Sequence, residues 1–160
     1  MTDDKNCDVH AYVDGACRGN PGIGGWGVRI IVDDDEKQGL NFYGGEKYTT
    51  NNKMELTAAI EALKKCPNPP ARIHMYTDSQ YTKNGITDWI KNWKKNGWRT
   101  AKGEPVKNAE LWKELDLLVS AKNVSWTWVK GHSSNKGNAF ADALANKGIE
   151  SILLERKKYA

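Results

Sequence analysis

Residues 9–14 of the chain read Val9-His10-Ala11-Tyr12-Val13-Asp14. Small or branched apolar residues alternate here with polar or aromatic ones, which is the period-two pattern of a β-strand with one buried face. The strand ends on a carboxylate, and Gly15 comes directly after it. The stretch therefore predicts a sheet strand that carries an acidic side chain at its end.

The segments that follow predict a sheet meander. Residues 26–32 alternate again, and a third strand is expected at about residues 40–46. The acidic run at residues 33–36 is expected to form a solvated hairpin tip between them. Three consecutive strands with short connections favour antiparallel pairing.

Helical spacing replaces the strand pattern from Leu56 onwards. The apolar positions between Leu56 and Leu63 predict a helix, which the prolines of residues 67–70 stop. The later patterns predict a strand at residues 73–77, a helix at 86–93 that closes at Gly97, a helix capped by Asn108, a strand at 124–128 and a last helix at 141–152.

The resulting order, β-β-β-α-β-α-α-β-α, predicts an α/β fold. Its sheet is mixed and five-stranded, with an antiparallel meander plus parallel strands, and helices flank it. A chain of 160 residues is enough for one such domain, and we expect a single domain over residues 1–160. Residues 1–6 and 153–160 are expected to be tails, of which the second could extend the last helix or be disordered.

The composition, 39% hydrophobic and 28% charged, is that of a globular protein. No apolar run approaches the ~20 residues of a membrane span, and the first residues lack the layout of a secretory signal. Cys7, Cys17 and Cys66 are widely spaced and include no CxxC pair, which favours free thiols in a reducing compartment. We expect a cytoplasmic monomer with no membrane partner.

Positive charge is concentrated in one segment, residues 83–107. Seven basic and two acidic residues give this segment a charge of +5, so the rest of a chain with net charge +4 carries −1. A charge run is usually a solvated face. Concentrated positive charge is also what a phosphate-contacting surface requires.

Four carboxylates occupy positions at which clustering is possible. Asp14 and Asp78 end the first and fourth predicted strands, and Glu55 and Asp142 lie in the first turns of two helices. If the first and fourth strands are neighbours, Asp14 and Asp78 project near the same edge of the sheet. Clustered carboxylates raise each other's pKa, so they persist mainly where a cation neutralises them. Hard oxygen ligands of this kind suit Mg²⁺ or Mn²⁺.

Each carboxylate also has a structural alternative. Glu55 follows Asn52 by three residues and could be the acid of a capping box. Asp142 could be favoured by the dipole at a helix start, and Asp14 and Asp78 could be ordinary turn aspartates. Each alternative is reasonable for one residue, but the convergence of all four favours a metal site.

Four motifs in this order resemble those of ribonuclease H of the type 1 branch, and they span residues 9–148. They are Val13-Asp14-Gly15-Ala16-Cys17-Arg18-Gly19-Asn20-Pro21-Gly22, Thr50-Asn51-Asn52-Lys53-Met54-Glu55-Leu56, Thr77-Asp78-Ser79-Gln80-Tyr81, and Val129-Lys130-Gly131-His132-Ser133 with Asn138 and Asp142. The resemblance implies the ribonuclease H-like fold, which agrees with the predicted element order. It also implies an endoribonuclease that hydrolyses the RNA strand of RNA–DNA hybrids with two Mg²⁺ ions, Mn²⁺ being an alternative, and leaves 5′-phosphate and 3′-hydroxyl ends.

The same resemblance assigns roles to individual residues. Asp14, Glu55, Asp78 and Asp142 would bind the metal. His132 would assist proton transfer and product release from a flexible loop; the alternative is a surface histidine with no functional role. The substrate-binding positions would be Asn20, Thr50, Asn51, Asn52, Gln80, Trp89, Lys94, Lys95 and Asn108.

Several of these substrate positions keep a structural alternative. Asn52 and Asn108 could simply cap helices, and Trp89 could belong to the core rather than stack on a sugar of the DNA strand. Amides suit a 2′-hydroxyl because both groups donate and accept hydrogen bonds. Thr50 and Asn108 would grip a phosphate of the DNA strand, and a helix N-terminus already attracts phosphate.

One stretch departs from the family pattern. Residues 139–141, Ala139-Phe140-Ala141, are apolar where many members carry charged residues. Asp142 keeps its place, so the departure bears on its surroundings and hence on metal affinity and pH optimum. The rival hypotheses are another nucleic-acid phosphotransferase on the same fold and a catalytically silent RNA–DNA hybrid-binding module, and the second predicts loss of one or more carboxylates.

Overall fold

A computed structural model describes residues 7–33, 35–67, 71–130 and 135–158. Its strands are β1 (Asp8–Arg18), β2 (Gly22–Val32), β3 (Leu40–Thr49), β4 (Arg72–Thr77) and β5 (Asn123–Trp128). Its helices are α1 (Asn51–Lys65), α2 (Gln80–Asn84), α3 (Ile90–Lys95), α4 (Ala109–Ser120) and α5 (Lys136–Lys158). The predicted order of elements is confirmed. None of the helices in the described part of the chain is both long and apolar enough to cross a membrane.

The five strands form one mixed sheet in the order β3-β2-β1-β4-β5. β1 pairs antiparallel with β2, and β2 pairs antiparallel with β3. β4 is parallel to both of its neighbours, β1 and β5. The meander and the parallel strands are therefore confirmed, and β1 lies at the centre of the sheet.

Helices cover both faces of this sheet. A Cβ atom added to Gly24 would meet Met54 of α1, whereas one added to Gly25 would meet Ala145 of α5. Because successive strand residues face opposite sides, α1 and α5 lie on opposite faces. The α1 face holds a core in which Val9, Val13 and Leu56 have no exposed surface.

The backbone of α5 lies directly on the sheet. A Cβ atom on Gly27 would come 2.3 Å from the carbonyl oxygen of Ala141, and one on Gly45 would come 2.4 Å from that of Gly148. Such distances leave no room for a side chain on either strand. The contact places the residue after Ala141, which is Asp142, beside the centre of the sheet.

The helix predicted at residues 86–93 is interrupted by a π turn. This turn, Gly85–Trp89, joins α2 to α3. A Cβ atom on Gly85 would come 2.0 Å from the ring of Trp112, so the π turn is in direct contact with α4 here. After α3, Gly97 has a positive φ of 65° and the Trp98 amide donates to the carbonyl of Trp93 at 2.7 Å. Gly97 is therefore the C′ glycine that the sequence predicts.

One alternative cap is wrong, and the predicted cap of α4 lacks its side-chain hydrogen bond. Helix α1 begins at Asn51, and its cap is Thr50, whose hydroxyl accepts a hydrogen bond from the Lys53 amide at 3.2 Å. Asn52 is therefore in the first turn and does not cap the helix. Asn108 stands at the N-cap position of α4, but its side chain makes no capping hydrogen bond.

The C-terminal residues extend the last helix. Helix α5 continues to Lys158, with Ile149 and Ile152 buried. Of the two alternatives for this tail, the helical one therefore applies to residues 153–158. Residues 1–6, the other expected tail, lie outside the described residues.

Candidate active site

The carboxylates of Asp14 and Asp78 meet at one edge of the sheet. Val13 of β1 pairs with Thr77 of β4, so the next residue of each parallel strand is an aspartate at the same level. Asp14, Glu55 and Asp78 each offer a carboxylate oxygen, and these three oxygens lie within 4.8 Å of one another. The structure thus brings together three of the four carboxylates in one cluster, which we call the carboxylate cluster.

Glu55 reaches this cluster because the first turns of α1 lie against Gly15. The Gly15 amide donates a hydrogen bond to Glu55 Oε1 at 3.0 Å. A Cβ atom on Gly15 would come 2.4 Å from the backbone nitrogen of Glu55, so only glycine permits this approach. The capping-box alternative for Glu55 is therefore wrong: its side chain is buried and faces β1.

Asp142 lies beside the cluster on the exposed side of α5. Asp142 is one of the neighbours that raise the pKa of Asp14, after burial and the charges of Glu55 and Asp78. In the apolar stretch before it, Ala141 is buried, and its carbonyl oxygen lies against Gly27. Phe140 is partly exposed and carries the guanidinium of Arg29 at 4.0 Å from its ring centre.

Among the residues that the structure describes, no ion pair neutralises the cluster. Burial, followed by the charges of Glu55 and Asp78, raises the pKa of Asp14 to about 10. Burial and the charge of Asp78 likewise raise the pKa of Glu55 well above its ordinary value. Three oxygen donors that are close together, mostly buried and mutually repelling fit a divalent cation, because a hard cation would offset both the desolvation and the repulsion.

The backbone at Asp78 is fixed by residues on both sides. The Ser79 hydroxyl caps α2 by accepting a hydrogen bond from the Thr82 amide at 3.1 Å. On the other side, Trp128 Nε1 donates to the carbonyl oxygen of Asp78 at 3.1 Å. Sequence reasoning missed Trp128, although its place opposite Thr77 at the end of the neighbouring strand could have indicated this contact.

Four of the predicted substrate-binding residues lie next to each other at the start of α1. Asn20 Oδ1 accepts a hydrogen bond from the Asn51 amide at 3.0 Å, and Cys17 Sγ donates to the Thr49 carbonyl at 3.4 Å. The loop after β1 is thereby held against α1. The four residues are Asn20, Thr50, Asn51 and Asn52. Gln80 is exposed at the start of α2, two residues after Asp78.

The remaining predicted contacts lie on or near α3 and α4. Trp89 is 40% exposed, with its ring packed against Tyr81 and Trp93, so it belongs only partly to the core. Lys95 is exposed, whereas Lys94 forms an ion pair with Asp116 at 2.8 Å. The amide nitrogen of Asn108 donates to the Tyr81 hydroxyl at 3.1 Å. His132 lies outside the described residues.

Residues 6–150 match the family model described as RNase H. The chain belongs to the ribonuclease H family. Its members are nucleases, and a hydrolase of this class accounts for an acidic cluster suited to a metal. The ribonuclease H of Cupriavidus necator is 52% identical over 145 residues, which are 91% of this chain and 97% of that protein.

Solved structures of the ribonuclease H family share the fold. LC9-RNase H1, a type 1 RNase H with the type 2 active-site motif, superposes with a TM-score of 0.78 at 31% identity, covering 94% of this chain and 75% of that one. LC11-RNase H1, solved in complex with an RNA/DNA hybrid, gives a TM-score of 0.62 at 24% identity, with 91% and 99% coverage. The mixed sheet flanked by helices is thus the ribonuclease H fold.

Proposed function

We propose that this chain is an endoribonuclease that hydrolyses the RNA strand of RNA–DNA hybrids. The observation that carries the proposal is the carboxylate cluster: three acidic side chains from β1, α1 and the end of β4 meet within 4.8 Å in a ribonuclease H fold. LC11-RNase H1 was solved with an RNA/DNA hybrid bound, which supports the same class of substrate here.

The ions held at this site are proposed to be two Mg²⁺, with Mn²⁺ as the alternative. Asp14, Glu55 and Asp78 would hold them, together with Asp142 from α5. When bound, two divalent ions lower the pKa of the attacking water and stabilise the leaving oxygen of the phosphodiester. Hydrolysis would leave a 5′-phosphate and a 3′-hydroxyl.

The chain's own residues would position the hybrid. Asn20, Asn51, Asn52 and Gln80 would contact the RNA strand near the cluster, because their amides can both donate to and accept from a 2′-hydroxyl. A DNA strand lacks this hydroxyl, so these contacts would direct cleavage to RNA. Thr50 and Asn108 would bind a phosphate of the DNA strand.

The segment of residues 83–107 would hold the DNA strand at a distance from the cut. Trp89 has enough exposed surface to pack against a sugar, and Lys95 is free to approach a phosphate from the surface. Lys94 would first have to leave Asp116. Phosphate contacts carry little sequence information, so cleavage would be broadly sequence-independent and sensitive to salt.

His132 is proposed to assist proton transfer and product release, since an imidazole titrates near neutral pH. A cytoplasmic monomer remains our proposal for the state of the protein. The three free cysteines support a reducing compartment.

The test uses a short RNA–DNA hybrid with labelled RNA, incubated in Mg²⁺, in EDTA, and with Asp78→Asn. Metal-dependent cutting of RNA only within the hybrid, abolished by the substitution, is the expected result. Single-stranded RNA and double-stranded DNA serve as substrate controls. Tight binding of the hybrid without cutting in Mg²⁺ or Mn²⁺ would contradict the proposal and favour a silent hybrid-binding module.

A further inference from the structure

The hydroxyl of Tyr81 connects two parts of the site that are far apart in sequence. It accepts one hydrogen bond from Asn108 Nδ2 and another from Trp112 Nε1, both at 3.1 Å. Tyr81 lies on α2, three residues after Asp78, while Asn108 directly precedes α4. One phenolic oxygen therefore links the helix that leaves the carboxylate cluster to the start of α4.

Asn108 depends on this contact for its orientation. An asparagine at an N-cap ordinarily uses its side-chain oxygen to accept a hydrogen bond from its own helix. Asn108 makes no such bond, and its backbone is left-handed, with φ 61° and ψ 30°. Its side chain is therefore oriented by Tyr81 of α2 and not by the helix that it precedes.

The position of the Tyr81 hydroxyl is fixed by aromatic packing. The Tyr81 ring lies 5.2 Å from the ring of Trp112 and 6.0 Å from that of Trp89, measured between centroids. Trp112 has no exposed surface, so its indole nitrogen has no access to solvent as an alternative partner. A phenol held this way presents its oxygen to Asn108 in one place, without reorganisation when a ligand binds.

We propose that Tyr81 is a positioning residue for hybrid binding, which acts by fixing the amide of Asn108. A side-chain amide has two N–H donors. One of them is directed to Tyr81, so the second is directed to a phosphate of the DNA strand at the N-terminus of α4, where phosphate is already favoured. This inference rests on the proposed function, in which Asn108 contacts that phosphate.

The first test is Tyr81→Phe, which removes one oxygen atom and keeps the ring. We expect KM for the hybrid to rise roughly fivefold, the effect of one hydrogen bond, with kcat nearly unchanged. Asn108→Ala should raise KM at least as much. The double variant should resemble Asn108→Ala alone, because two residues that act through one contact are not additive.

Tyr76→Phe is the matched control. Its hydroxyl contacts His10 Nδ1 at 2.8 Å on another part of the sheet, so its loss should leave KM unchanged. Melting temperatures of all variants separate a folding defect from a binding defect. If Tyr81 has only a structural role, Tyr81→Phe should have a lower Tm, and its kcat/KM should return to the wild-type value at low temperature. That result would overturn the proposal.

A substrate-side measurement identifies the phosphate. Hybrids carry a single neutral methylphosphonate at successive DNA-strand positions, and equilibrium Kd is measured in EDTA, so that cleavage is not required. One position should weaken binding of the wild type while Tyr81→Phe and Asn108→Ala lose much less there. Equal losses in all three proteins at every position would overturn the inference.

Failure of the two proposals can be told apart. A wild type that binds the hybrid but never cuts it overturns the proposed function, while Kd still reports on Tyr81. If cutting occurs and Asn108→Ala weakens binding but Tyr81→Phe does not, only the positioning role is overturned. If Asn108→Ala leaves binding unchanged, the phosphate contact itself is wrong and the inference falls with it.

Discussion

Asp8 and Asp14 stand at two places on the same strand, β1, and the structure treats their charges in opposite ways. Asp8 accepts two hydrogen bonds from the Arg72 guanidinium, at 3.0 and 2.9 Å, and contacts His74 Nε2 at 3.0 Å. These partners, His74 first, lower the pKa of Asp8. Asp14 is buried among other carboxylates instead, and its pKa is raised to about 10.

The difference separates a carboxylate that the protein pairs from one that it leaves for a ligand. The Asp8 carboxylate is paired with Arg72 and His74, both on β4. Asp14 is buried among other carboxylates, an arrangement that either a bound proton or an added cation relieves. The same distinction applies to Lys94, which is paired with Asp116, and to its exposed neighbour Lys95.

The largest expected effect follows substitution of the unpaired carboxylate. Asp14→Asn should lower kcat for hybrid cleavage by roughly 10³-fold or more, because metal-ion catalysis contributes several kcal/mol and each 1.36 kcal/mol is tenfold. Asp8→Asn, on the same strand, should retain activity. Equal activity of Asp14→Asn and the wild type in Mg²⁺ would contradict a catalytic role for Asp14.

A second effect concerns stability in EDTA. The unfolded chain loses its Asp14 proton near the ordinary pKa of 3.8, whereas the folded protein keeps it up to about 10. The free energy of unfolding therefore falls as pH rises from about 4 towards 10. Asp14→Asn removes this penalty, so its Tm should exceed that of the wild type at pH 8, with each kcal/mol shifting Tm by about 2–4 °C.

Two controls sharpen this result. At pH 3 both forms are neutral at residue 14, and the difference in Tm should vanish. Addition of Mg²⁺ at pH 8 should raise Tm of the wild type more than that of Asp14→Asn. A lower Tm for Asp14→Asn in EDTA at pH 8 would show that the Asp14 carboxylate stabilises the metal-free protein, which is the opposite of the expected result.

The two neighbouring lysines should differ in substrate binding. Lys95→Ala should raise KM by roughly threefold with kcat unchanged, and the rise should shrink in high salt because the contact is electrostatic. Lys94→Ala should have a smaller effect on KM, since its ammonium group is paired with Asp116. Steady-state kinetics at two salt concentrations measure both. A larger KM effect for Lys94→Ala would reverse the assignment.

The smallest expected effect is that of the paired aspartate on stability. Asp8 has a lowered pKa in the folded protein, so its contribution is present at neutral pH and is lost as pH falls below the unfolded value. Asp8→Asn should lower Tm slightly at pH 7, the opposite sign to Asp14→Asn. The difference should shrink as pH falls below 3.8. Thermal melts at neutral and at acid pH, with Asp35→Asn as an exposed control, measure it.

Local patterns in the sequence predict the sheet and the level at which Asp14 and Asp78 meet. Strand alternation and the position of each carboxylate at a strand end are both readable within a few residues. The contact between the Gly15 amide and Glu55 could not be predicted in this way, because 40 residues separate the two positions and only the packed fold brings them together.

The same limit explains the other differences. The π turn begins at Gly85, which packs against Trp112 of another helix, a contact that local sequence does not reveal. Asparagine is a common capping residue, yet the side chain of Asn108 is hydrogen-bonded to Tyr81, 27 residues earlier. The capping propensity of asparagine predicted where α4 begins, but it could not predict that the Asn108 side chain would bind Tyr81.

Gly27 has no functional group, yet it acts as a spacer for the site. Its missing side chain lets the carbonyl of Ala141 approach, and that distance sets how far Asp142 reaches toward Asp14. A methyl group at Gly27 would lift α5 from the sheet and so change the separation between Asp142 and Asp14. The spacing between Asp142 and the carboxylate cluster is thus set by the distance between α5 and the face of the sheet opposite α1.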